Sequence, residues 1–211
     1  MSNKSGLDHY RDVLLRSTST PKDSIAKSIE LVQKAITLDE SFPAAHGLLA
    51  LLLGFTKQHE RAMVEAELAV SINPNSADAH FFLAFALNYS AGKHQEAIMA
   101  FKKAIRLNPI PPLHQLAVLA LAYRDAAKYE EAISICKKIL HQEPDYLIAH
   151  TCLASCYALM DRIEEANAEA AEVLRVDPKF SVDYVTRMLT YKYDADRKLV
   201  KDSLLKAGLP E

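Results

Sequence analysis

The sequence predicts an all-α chain, a solenoid of about five helix pairs followed by a C-terminal capping pair. Three observations predict it. A phrase recurs in which a polar-Ala pair opens a helical run of small and aromatic residues and a proline or acidic residue stops it. It is fullest from His94 to Pro109 and returns from Glu131-Ala132 through Cys136 to Pro144, and from Glu165-Ala166 through Ala170 and Val173 to Pro178. Arg61-Ala62 leads through Ala66 and Ala69 to Pro74, and a weaker copy runs from Ser28 through Val32 and Ala35 to Glu40. The stops at 40, 74, 109, 144 and 178 are therefore spaced by 34, 35, 35 and 34 residues, and a fixed period of this length marks a repeat array. Composition is the third observation: half the residues are hydrophobic, and five glycines and no tryptophan among 211 suit a succession of helices.

Residues 1–6 are polar and expected to be disordered. Leu7 to about Ser17 reads as a short helix with Tyr10, Val13 and Leu14 on one face. Thr20 is placed to cap the next helix and Pro21 to open it, where a missing N–H costs nothing. Ile25, Ile29, Val32 and Ile36 then form a stripe at helical spacing. These make the first repeat, about 7–42. The second, 43–76, carries Leu48 to Leu53 in its first helix and Ala62, Ala66, Ala69 and Ile72 in its second. The third, 77–110, holds one extra residue between Ala84 and Gly92; the fourth, 111–145, absorbs another at Pro111-Pro112; the fifth is 146–179. Ala50, Ala84, Ala120 and Ala154 recur at one place in the first helices, and Ala62, Ala97, Ala132 and Ala166 at one place in the second. A methyl group there lets helix axes approach near the lower end of the ~8–10 Å range. Phe101, Tyr123 and Tyr157 are expected to fill the space around those contacts. Residues 181–211 read as two capping helices, one opened by Ser181 and one, about Asp194 to Ala207, ended by Gly208. Lys192, Arg197, Lys198, Lys201 and Lys206 suit a cap's polar outer side.

Across residues 7–180 the repeats resemble the tetratricopeptide family, which implies a right-handed superhelix with the first helix of each pair on the concave face. The ending Ala195-Asp196-Arg197 to Lys206-Ala207-Gly208-Leu209-Pro210-Glu211 resembles the C-terminus of bacterial class III adenylate/guanylate cyclase-like proteins. In those proteins such an array follows the cyclase domain. Met188-Leu189, Tyr191-Lys192 and the phrase Leu107 to Pro112 share in the likeness. Thr190 departs from it where a proline is common, and Tyr193-Asp194 where an Asp-Pro step is. The resemblance implies a regulatory or assembly module in signalling and carries over no catalytic residue.

Several function classes are disfavoured. No run of about 18 apolar residues suggests a membrane span, and with no apolar core in Met1 to Gly6 no signal peptide is expected there. A net charge of −2 argues against general nucleic-acid binding. Three cysteines cannot all pair, so reduced thiols and a cytoplasmic location are expected. Cys152 and Cys156 share a helix face with Cys136 able to approach, and buried filler is the favoured reading over metal chemistry. His46, His80 and His150 occupy equivalent places, for which a structural role is favoured. With no phosphate loop or nucleophile elbow, no enzyme activity, metal or cofactor is expected.

Binding is the better reading. The candidate groove residues are Leu51 and Phe55 in the second repeat, Phe81, Phe85, Asn88 and Tyr89 in the third, His114, Leu121, Arg124 and Asp125 in the fourth, and Thr151 and Ser155 in the fifth. The family's carboxylate clamp is missing: Leu51, Phe81, Phe85 and Leu121 stand at its positions. An aromatic groove would take an amphipathic helix or an extended apolar segment. The alternative is that these aromatics pack within the superhelix or against the chain's own first helix. The expected partner is a protein or peptide, or a second copy of the chain.

Overall fold

The computed structural model of the chain describes residues 21–211, and among these every regular element is an α-helix. The stretch 1–6 and the helix expected over 7–17 lie outside the described residues. Helix α1 is Pro21–Leu38. Four pairs follow: α2 (Pro43–Phe55) with α3 (His59–Ile72), α4 (Ala77–Tyr89) with α5 (His94–Leu107), α6 (Leu113–Asp125) with α7 (Tyr129–Gln142), and α8 (Leu147–Leu159) with α9 (Ile163–Val176). The chain ends in α10 (Val182–Met188) and α11 (Asp194–Lys206). In these pairs every first helix has 13 residues and every second helix 14, so the period changes only in the connections. One added residue lies in the α4–α5 turn, residues 90–93, and another in the α5–α6 connection, residues 108–112.

The turns explain the regular advance from pair to pair. Each three-residue turn puts its middle residue in the left-handed region: Lys57 at φ 62°, Ala127 at φ 56° and Asp161 at φ 59°. That conformation lets two N–H groups return to the helix end, as in Gln58 N to Leu53 O at 2.9 Å and Lys57 N to Gly54 O at 3.0 Å. The same two bonds recur after α6 and α8, and they satisfy carbonyls that a helix end otherwise leaves orphaned. In the longer turn Gly92 takes the role at φ 64°, and Lys93 N reaches Leu87 O at 2.8 Å.

The second helices stop differently. Pro74, Pro109, Pro144 and Pro178 each stand two positions beyond the last helical residue. A proline pushes the residue before it out of helical backbone, and Asn73, Asn108, Glu143 and Asp177 are all extended.

Neighbouring pairs pack through both first and second helices in the order of a solenoid. All eight recurring alanines are buried, none more than 2% exposed, and Phe101, Tyr123 and Tyr157 are buried beside them. Ile25 and Val32 of α1 pack with Leu49, Leu52 and Leu53 of α2. The last pair does more than close one end. Helix α11 lies on α8, the segment after α10 crosses back so that Lys192 N donates to Tyr89 O at 2.8 Å, and Met188 packs on the N-terminal cluster of α1 and α2. The C-terminal segment is thus a strap tying the last pair to the first described ones.

Candidate functional site

Residues on the first helices recur at intervals of three and four, which sets them on one face. Along it the rings form a ladder: Phe55 lies 6.4 Å from Phe85, Phe85 lies 4.5 Å from Tyr89, and Tyr89 lies 4.8 Å from Tyr191 of the strap. Phe81 belongs to a second group, 5.7 Å from Phe101 and edge-on to His114 at 5.9 Å. His114 is exposed, Phe55, Leu121 and Thr151 are half-buried, and Leu51, Phe81, Phe85 and Tyr89 are buried. Thr151 donates its hydroxyl to Leu147 O of its own helix. The aromatics therefore pack within the superhelix and against the C-terminal strap.

Asn88, Arg124, Asp125 and Tyr191 form one buried polar network. Asp125 Oδ1 accepts from Arg124 Nε at 3.0 Å and Nη2 at 2.8 Å, while Oδ2 accepts from Asn88 Nδ2 at 2.8 Å and from the Tyr191 hydroxyl at 2.6 Å. Arg124 Nη2 also donates to that hydroxyl at 2.8 Å. His94 Nδ1 lies 2.9 Å from Asn88 Oδ1, and its Nε2 lies 3.6 Å from Asp196 of α11. Both charged side chains of the Arg124–Asp125 pair are only 3% exposed. Burial works against the Arg124 charge, but the Asp125 carboxylate holds the guanidinium charged. Burial, with Asp125 beside it, pushes the Tyr191 phenol well up, so it stays a neutral donor. Ser203 of α11 donates to Val200 O and lies 2.6 Å from Ser155 Oγ, so Ser155 is the donor between them.

The network ties the strap to the array, each Asp125 oxygen accepting two hydrogen bonds. Sequence reasoning placed Asn88, Arg124 and Asp125 on this face without their occupant, Tyr191. The usable signal was an adjacent Arg-Asp pair on an otherwise apolar helix, which must find partners to be buried.

The remaining constellations are structural. His46 Nδ1 lies 2.7 Å from Glu65 of the paired helix and Nε2 3.1 Å from Glu40 O; His150 repeats this with Glu169 and Pro144 O. His80 keeps only the loop contact, to Pro74 O, because Ala100 stands where its glutamate would be. Cys136, Cys152 and Cys156 are free and buried. The three thiols hydrogen-bond as one buried cluster: bonding to Cys152 and burial push the Cys136 and Cys156 thiols up, while the bonds they give draw Cys152 down. Among the described residues no group of three or more His, Cys, Asp or Glu is arranged to hold a metal, and no helix is long and apolar enough to cross a membrane.

Two family models described as tetratricopeptide repeat match the chain, one over residues 43–76 and 77–111 and the other over 123–186. The "Small glutamine-rich tetratricopeptide repeat-containing protein 2" of Mycosarcoma maydis is 33% identical over 82 residues, 39% of this chain and 23% of that relative. The chain therefore spans under a quarter of that relative's length. Among solved structures, PilW, a "widely conserved type IV pilus biogenesis factor", superposes with a TM-score of 0.69 at 15% identity, over 94% of this chain and 90% of that one. YrrB, "a TPR protein with an unusual peptide-binding site", gives a TM-score of 0.56 at 21% identity, over 85% and 91%. At these identities the structural likeness is one of fold.

Proposed function

Because the chain belongs to the tetratricopeptide repeat family, we propose that it is a non-enzymatic scaffold that holds a peptide or protein segment on the first-helix face. One observation carries this reading. That face already holds a polypeptide, its own: the strap engages it by a backbone hydrogen bond from Lys192 to Tyr89, a ring tilted against Tyr89 and a hydroxyl seated in the Arg124–Asp125 pair. Backbone hydrogen bonding with alternate side chains in fitted pockets is how extended segments are recognised. The part of the face beyond the strap, with Phe55, His114, Leu121 and Thr151, is the seat for a partner. The peptide-binding site named for YrrB fits the same reading by analogy of fold.

The test is a pull-down with the wild-type chain, with His114→Glu, an exposed residue, and with His114→Glu plus Phe55→Ala, a half-buried residue packed on the core. The partner set is expected to be lost while the helical circular dichroism signal is kept; an unchanged set refutes the groove. Solution mass distinguishes a monomer of 23.5 kDa from a self-associating form. The reading as a regulatory module of a nucleotide cyclase rests on the sequence likeness of residues 195–211 and ranks below the scaffold. Co-purification with a cyclase would be its support.

A further inference from the structure

Between the α2–α3 turn and the C-terminal helices lies a cavity of about 340 Å³, lined by Lys57, Asp183, Thr186, Arg187, Arg197 and Lys201. We propose that it is a binding site for an acidic peptide segment, whose carboxylates are gripped between Lys57 on the array and Arg187 on the strap. This rests on the scaffold reading for the bearer of the charge, but the recognition chemistry stands on the cavity alone.

Four cations and the Asp183 carboxylate line it, with Asp194 and Glu211 reaching two of those cations from outside the lining, so positive charge is in excess in a chain whose net charge is −2. Two of them are already committed. Lys201 lies 2.6 Å from Asp183 and 3.3 Å from Glu211, and Arg197 spends one Nη group on Asp194 at 2.7 Å and the other on Tyr191 O at 2.8 Å. Among the described residues Arg187 donates through Nε alone, to Asp183 O at 3.1 Å, and its two Nη groups meet no carboxylate of those residues within 4 Å. Lys57 pairs with no carboxylate within 4 Å among the described residues; it lines the cavity from the left-handed position of its turn, which two backbone hydrogen bonds hold. Partial desolvation of this largely exposed side chain and the nearby Arg197 charge depress its pKa, against the opposing pull of Asp194, and a bound anion would offset that depression.

The volume is near the lower end of the ~300–1,000 Å³ usual for ligand sites, which suits one or two acidic side chains. The donors suit them too: a guanidinium offers a carboxylate two parallel bonds, and an ammonium adds a point charge. Because Lys57 belongs to the array and Arg187 to the strap, a ligand held by both also fastens the one to the other. Occupancy is therefore linked to strap stability.

The experiment measures fluorescence anisotropy of a labelled octaglutamate peptide with the intact chain, using an octaglutamine peptide as the uncharged control. Saturable binding of the glutamate peptide alone, weakened by salt, is expected. Lys57→Gln plus Arg187→Gln, both exposed and outside the core, should weaken it by roughly tenfold, the scale of two partly exposed ion pairs. Lys198→Gln, on an exposed lysine facing Asp202, should leave it unchanged. Equal affinity of the double variant, or no saturable binding at all, overturns the site. Inorganic phosphate that competes at the peptide's own affinity overturns the peptide assignment. The assay needs no cellular partner, so it can fail while the pull-down succeeds, and the reverse.

Discussion

Replacing Tyr191 by phenylalanine tests whether the strap is held by its buried hydroxyl. The ring and its 4.8 Å contact with Tyr89 remain, so the change isolates one oxygen. That oxygen donates to Asp125 at 2.6 Å and accepts from Arg124 at 2.8 Å, and Tyr191 is 1% exposed, so no water replaces it. A hydrogen bond to a charged group contributes about 1.5–3 kcal/mol. Two such bonds are lost, but Asp125 keeps Arg124 and Asn88, which offsets part of the loss; about 2–3 kcal/mol is expected. Repeat arrays need not unfold all at once, so the loss should appear first as local release of the strap. Native-state hydrogen exchange reads this at the Lys192 amide, whose bond to Tyr89 O spans the strap and the array. Its protection should fall by roughly 30-fold or more, the equivalent of 2 kcal/mol. Asp125→Ala should cost more, about 3–5 kcal/mol, because it strands a buried guanidinium. Protection of Lys192 within twofold of wild type in Tyr191→Phe, or a larger loss there than in Asp125→Ala, would refute the network as the anchor.

Three further outcomes follow from the turns and the buried histidine. Ala127→Gly should raise stability by roughly 0.5–1 kcal/mol in a urea titration, since a left-handed residue with a side chain costs about 1–2 kcal/mol and glycine's added entropy returns only part of it. Gly92→Ala should have the opposite sign, about 1–2 kcal/mol of destabilisation: φ is 64° there, and a Cβ would stand 2.7 Å from the Tyr193 ring, which must swing aside. His59 is buried beside Ser90, and burial, with the Lys57 charge, holds its pKa below the ordinary 6.5. The unfolded chain then takes up this proton first, so the contribution is complete above about pH 6.5 and is lost as pH falls below it toward the depressed folded value. The stability difference between wild type and His59→Gln should shrink between pH 7.5 and 5.5, and a widening gap would show the shift to be upward.

What the sequence determined by itself is everything local in origin. A proline forces its predecessor out of the helix within one peptide unit, so the spacing of Pro74, Pro109, Pro144 and Pro178 gives the ends of the second helices directly. Alanines at 50, 84, 120 and 154 mark close helix contacts because only a methyl fits there, and the two one-residue insertions fall in connections because helices cannot absorb them. The first-helix face was legible too, since its residues repeat with the pairs. Its occupant was not. Tyr191 meets Asp125 across 66 residues, Lys192 meets Glu60 across 132, and neither pairing leaves a periodic trace, because the strap is not itself a repeat. Nor could spacing tell that Lys57, in a turn, and Arg187, in a short helix, face one cavity. Such contacts depend on the curvature accumulated over several pairs, and only the tertiary structure sets where the returning chain lands.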